Sequence, residues 1–108
     1  MPIPQKLKPI LAELKRGLQE IYGDRLRAVV LFGSQARGEA TEDSDVDVAV
    51  VLEDFENAYQ ELDRTGDLFW QLSFDHDQLI TCVPVREKDW LGRDMRFYRN
   101  LRREGVAL

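Results

Sequence analysis

Apolar residues recur near the N-terminus at Leu7, Ile10, Leu11, Leu14, Leu18 and Ile21. Steps of three and four put them on one side of a helix. Proline fits only the first turn of a helix, so Pro9 predicts a start near Lys8, and Tyr22-Gly23-Asp24 supplies a stop. The period then changes. Residues 28–32 (AVVLF) and 46–52 (VDVAVVL) are short, continuous, β-branched runs, as expected of buried strands. Between them, residues 33–38 leave the first strand through a glycine and read as a short helical turn, and residues 39–44 read as a polar loop. Helical spacing returns over residues 55–74 through Phe55, Ala58, Tyr59, Leu62, Phe69 and Leu72. Gly66 weakens that helix by about 1 kcal/mol relative to alanine and marks a candidate bend. Trp70 and Trp90 read as core aromatics, and Cys82 as a small core residue. Residues 78–85 (QLITCVPV) form a third strand, which Pro84 confines to an edge or a bulge. Met95, Tyr98 and Leu101 indicate a last short helix ending at Gly105. The pattern predicts a small α/β domain, a short mixed sheet with helices packed on it, occupying residues 1–108 as one unit.

Composition narrows the function classes. With 44% hydrophobic and 32% charged residues among 108, the chain is an ordinary globular sequence rather than a disordered one. No apolar run approaches the roughly 20 residues that span a bilayer. MPIPQKLKPI has no signal-peptide core, and a cytoplasmic location with no membrane contact is expected. The single cysteine excludes an internal disulfide and a cysteine-based zinc cluster. A formal net charge of -5 makes nucleic acid an unexpected partner, since phosphate neutralisation dominates that affinity. The distribution is uneven: acids crowd residues 39–67, and Arg93, Arg96, Arg99, Arg102 and Arg103 crowd the end. That arginine run reads first as a solvated helix face and second as a surface for an acidic partner or a nucleotide tail.

Two segments carry candidate chemistry. In the first, Leu31-Phe32-Gly33-Ser34-Gln35-Ala36-Arg37-Gly38, a strand ends on a glycine that admits close backbone approach. The free N–H groups of a helix start favour anions, and the Ser34 hydroxyl can reach a phosphate oxygen. The GKS or GKT ending of a P-loop is missing. In the second, Ser44-Asp45-Val46-Asp47, the two aspartates lie two apart and so share one face of a strand, with Cα atoms about 7 Å apart. Carboxylates that close repel and call for a cation, and Mg²⁺ favours one or two carboxylates plus substrate phosphates. Asp43-Ser44-Asp45-Val46-Asp47 imitates the opening of a calcium loop. Such a loop needs glycine at its sixth position and glutamate at its twelfth, where this chain has Val48 and Asp54. His76 reads as a lone loop histidine.

Taken together, GSQARGEATEDSDVDVAVVL resembles the signature of the polymerase-β-type nucleotidyltransferases, and most closely the minimal nucleotidyltransferase group. The similarity is sharp from Val29 to Leu52 and extends loosely to the ending FYRNLRREGVAL. The resemblance implies that Gly33 and Ser34 contact a triphosphate and that Asp45 and Asp47 hold two Mg²⁺ ions. Arg37 would assist at the phosphates or pair with a nearby acid, and Ser44 would cap the turn before the strand. It also implies a third carboxylate on a later strand, which binds metal and receives the acceptor's proton. Asp77 is the first choice for it and Asp75 the second. Aligning that strand by its apolar end instead puts Thr81, no acid, in this place. The implied reaction moves AMP from ATP or another NTP to a hydroxyl, releasing pyrophosphate. The implied partner is a separately encoded helical HEPN-type protein, with this chain as antitoxin, because a chain this short has no room for a second substrate domain. The alternative is a non-catalytic nucleotide-binding or interaction subunit that neutralises its partner by contact.

Overall fold

The computed structural model describes residues 3–41 and 44–108. After a single 3-10 turn, α1 runs over Lys8–Tyr22 with Pro9 in its first turn, and Gly23 (φ 56°) ends it. Its buried side is the expected stripe of Ile10, Leu11, Leu14 and Leu18, with Tyr22 added, while Ile21 points outward. Strand β1 spans Leu26–Phe32, helix α2 Gly33–Arg37 and strand β2 Val46–Leu52. Helix α3 runs unbroken over Ala58–His76, and β3 covers Ile80–Arg86. Two short helices follow, α4 at Glu87–Gly92 and α5 at Arg96–Glu104, and then a two-residue strand, β4, at Val106–Ala107.

The sheet order is β3-β2-β1-β4, with β2 and β3 parallel and both neighbours of β1 antiparallel to it. This is the mixed sheet that the pattern predicts. Pro84 lies on β3, an edge strand, the place in a sheet where proline is tolerated. The strands are apolar on both sides because both faces are covered. Val29, Leu31, Val48, Val50 and Leu52 pack with α1 and α3, and Val30, Ala49, Val51 and Val85 pack with Leu101 of α5 and Trp90 of α4.

Helix α3 departs from the expected reading. It begins at Ala58, not at residue 55, because the Asn57 carboxamide accepts the Tyr59 N–H at 2.8 Å and caps it. Its buried face is Glu61, Thr65, Phe69 and Leu72. Glu61 is tolerated inside because it accepts hydrogen bonds from the Tyr22 hydroxyl (2.9 Å) and from Arg64 (3.2 Å). Burial, reinforced by that carboxylate, raises the Tyr22 phenol well above its ordinary pKa. Tyr59 and Leu62 therefore turn outward. So does Trp70, which is 69% exposed beside Phe74 and is not a core residue. The helix continues through Gly66 without a break. Trp90 does pack on the second face, as expected.

Candidate active site

Antiparallel pairing brings the end of β1 beside the start of β2, and parallel pairing brings the start of β3 there too. Phe32 is the partner of Asp47 on one side and Thr81 on the other. Asp47 alternates with Ala49 and Val51, so its carboxylate lies on the sheet face that α4 and α5 cover farther along. Here the face is half open: Asp47 is half-buried, and Asp45, one residue ahead of the strand, is exposed.

Gly33 is the hinge of the site. It leaves β1 with φ +73°, and a Cβ at this position would collide with Oδ2 of Asp47. Only glycine meets both conditions. The other carboxylate oxygen, Oδ1, accepts a hydrogen bond of 2.8 Å from the Thr81 hydroxyl. The carboxylate is thereby seated between a bare backbone and a hydroxyl, while Asp45 is exposed. Two such carboxylates, one seated and one exposed, fit a hard divalent cation that takes its remaining ligands from phosphates and water. Ser34 follows Gly33 and is half-buried, and α2 closes after one turn on Gly38 (φ 75°). Ser44 caps the approach to β2: its hydroxyl accepts the Thr41 N–H at 2.9 Å. Gln78 donates to the Ser44 carbonyl at 2.7 Å and ties this approach to the start of β3. Residues 42 and 43 lie outside the described ones, and with them Asp43, where the calcium-loop imitation begins.

Not all expected members assemble. Asp77 is the left-handed C-cap of α3 (φ 49°), and Asp75 accepts from Gln71 on the same helix at 2.8 Å. Among the described residues no cluster of three acids, histidines or cysteines is formed. The strand position facing Asp47 belongs to Thr81, as the apolar-end alignment has it. Arg37 pairs with Glu39 at 3.2 Å and with Glu104 at 3.8 Å. His76 closes α3 rather than sitting in a loop, and it faces Glu13 at 3.7 Å. Of the C-terminal arginines, Arg102 holds the carbonyls of Trp90 (2.8 Å) and Arg93 (3.0 Å), and Arg93 and Arg99 pair with Asp89 and Asp94. Within that run, Arg102 ties α5 to α4.

Gln35 escaped notice in the sequence. It is 2% exposed, and both polar atoms of its side chain lack a hydrogen-bond partner among the described residues. The one available signal was its place on the inward side of a helix whose outward positions are Ser34 and Arg37.

Residues 11–101 match the family described as the nucleotidyltransferase domain. A candidate protein adenylyltransferase of Methanocaldococcus jannaschii is 44% identical over 78 residues, 72% of this chain and 78% of that one. A solved structure described as a candidate minimal nucleotidyltransferase superposes with TM-score 0.57 at 28% identity, covering 94% of this chain and 95% of the other. A solved toxin-antitoxin structure with AMP-PNP superposes with TM-score 0.63 at 18% identity, over 96% of this chain and 72% of that one, and shares the fold. No described helix is long and apolar enough to cross a membrane.

Proposed function

This chain belongs to the nucleotidyltransferase domain family, and from that premise we propose that it transfers AMP from magnesium-bound ATP to a hydroxyl group on a partner protein, releasing pyrophosphate. The observation that carries the proposal is the seat of Asp47, whose carboxylate is held between the Gly33 backbone and the Thr81 hydroxyl. A carboxylate pre-positioned at a bare glycine turn serves no packing purpose. It does serve a site where triphosphate oxygens and divalent cations must meet.

In this reading Gly33 admits the phosphates to the backbone, and Ser34 donates its hydroxyl to them. Arg37 stands within the same turn, where its pairs with Glu39 and Glu104 tie α2 to α5. Asp45 and Asp47 would hold two Mg²⁺ ions, which when bound neutralise charge on the phosphates. Thr81 orients Asp47 by fixing one of its oxygens. A protein acceptor is supported by the name of the M. jannaschii relative, and ATP by the AMP-PNP in the toxin-antitoxin neighbour. The proposed partner is a helical HEPN-type toxin in the cytoplasm.

Incubation with each labelled NTP, Mg²⁺ and a candidate toxin tests the proposal. Labelled AMP should become covalently attached to the toxin, and Asp45→Asn or Asp47→Asn should abolish attachment without loss of fold. Full activity in either variant would remove these residues from the site.

A second reading is favoured by Thr81. With a hydroxyl in the strand position facing Asp47, nothing there receives the acceptor's proton, and the chain would bind Mg·NTP and neutralise its partner by contact alone. The third acid would otherwise come from Asp77 through movement of the α3 end, or from the partner. Toxin neutralisation by the Asp45→Asn/Asp47→Asn double variant, with no transfer by the wild type, would establish the contact-only reading.

A further inference from the structure

A cavity of about 220 Å³ opens between α2 and α5, walled by Phe32, Gly33, Arg37, Phe97, Asn100, Leu101 and Glu104. Phe97, Asn100, Leu101 and Glu104 lie at i, i+3, i+4 and i+7 of α5, so one face of that helix makes a whole wall. Phe97 stands edge-on to Phe32 with ring centroids 5.7 Å apart, yet remains 37% exposed. Whole drug-sized ligands occupy roughly 300–1,000 Å³, so this space suits a part of a nucleotide, not all of one.

We propose that this cavity receives the nucleoside, and that Asn100 recognises its base as adenine. The inference rests on the nucleotidyltransferase reading above. Gly33 is a wall of the cavity and also the residue against which Asp47 is seated, so phosphates at Asp47 leave the nucleoside at the cavity mouth. The partly exposed ring of Phe97 offers an aromatic surface for a base. A carboxamide presents one donor and one acceptor in a plane, which matches the adjacent N–H₂ and ring nitrogen of adenine. The usual reader of guanine is an arginine fork. The arginine in this wall, Arg37, is already engaged by Glu39 and Glu104. Pyrimidines would leave more of the cavity empty.

Calorimetric titration of the intact chain with Mg·ATP, Mg·GTP, Mg·CTP, Mg·UTP and Mg·tripolyphosphate tests the assignment. The wild type should bind ATP most tightly. Asn100→Ala should weaken ATP roughly tenfold and flatten the preference among bases. Phe97→Leu, which keeps an apolar wall without a ring, should weaken all four nucleotides. Neither variant should alter tripolyphosphate affinity, which also certifies that each is folded. Unchanged ATP affinity and base preference in both variants would overturn the pocket assignment while leaving the phosphate site standing. A wild type that binds tripolyphosphate as tightly as ATP would overturn it too. A wild type that binds none of these ligands would overturn both the pocket and the function it rests on.

Discussion

Asp47 is positioned by neighbours from two other strands, and its surroundings make its chemistry adjustable at one point. Thr81 sits directly opposite it in the β2–β3 register. Thr81→Asp would set a third carboxylate against the pair. Like charges directly opposite destabilise a sheet, so the metal-free variant should melt below the wild type at neutral pH. Added Mg²⁺ should then raise its melting temperature more than that of the wild type, and AMP transfer should accelerate. A Mg²⁺ response no greater than that of the wild type would show that residue 81 does not face the cation site. Cys82, the next residue, points to the opposite face, and burial pushes its thiol up to about 11. An unfolded thiol ionises near pH 8.5, so the fold gains from keeping Cys82 neutral. That contribution is complete below about pH 8.5 and is lost as pH rises through the folded value. At pH 8, alkylation by iodoacetamide should be roughly 10²-fold slower in the native protein than in urea, following the thiolate fraction. Equal rates would mean that Cys82 is not buried.

At the scale of elements, α3 is the clearest case of packing overriding composition. Its apolar residues are not confined to its inner face, since Trp70 and Phe74 face solvent while Glu61 and Thr65 lie inside beside Phe69 and Leu72. The Tyr22–Glu61–Arg64 contacts make this possible, and they join residues 39 apart, which no local pattern can reveal. Gly66 has open space where a Cβ would go. Gly66→Ala should therefore stabilise the protein by about 1 kcal/mol, the helix-propensity difference. Asn57→Ala, which removes the cap, should destabilise it by about 0.5–2 kcal/mol. Urea midpoints with unchanged slope would measure both. A loss of stability in Gly66→Ala would mean that the helix bends there after all. The short elements α4 and β4 were not visible in the sequence at all. Six residues with one buried face, and two residues whose strand exists only because β1 offers an edge, carry too little periodicity to detect.

For the whole molecule, the sheet works as a device that gathers three strand ends. One antiparallel and one parallel neighbour bring residues 32, 47 and 81 side by side, although they are far apart in the chain. The sequence by itself determined the strands that are buried on both faces, the first helix, the glycine turn and the aspartate pair. Each of these is a local pattern of polarity, conformational freedom or charge, and local patterns survive without knowledge of the fold. The resemblance in residues 29–52 drew on the same short stretch and pointed to the family that the comparison then established. Only the tertiary structure decided what faces that pair. Strand register set Thr81 opposite Asp47 and left Asp77 capping a helix. Helix packing turned Trp70 outward and drew Phe97, Asn100 and Glu104 around a cavity beside Gly33. Register and packing are fixed by the summed burial of the chain, in which no single residue's identity states its neighbour.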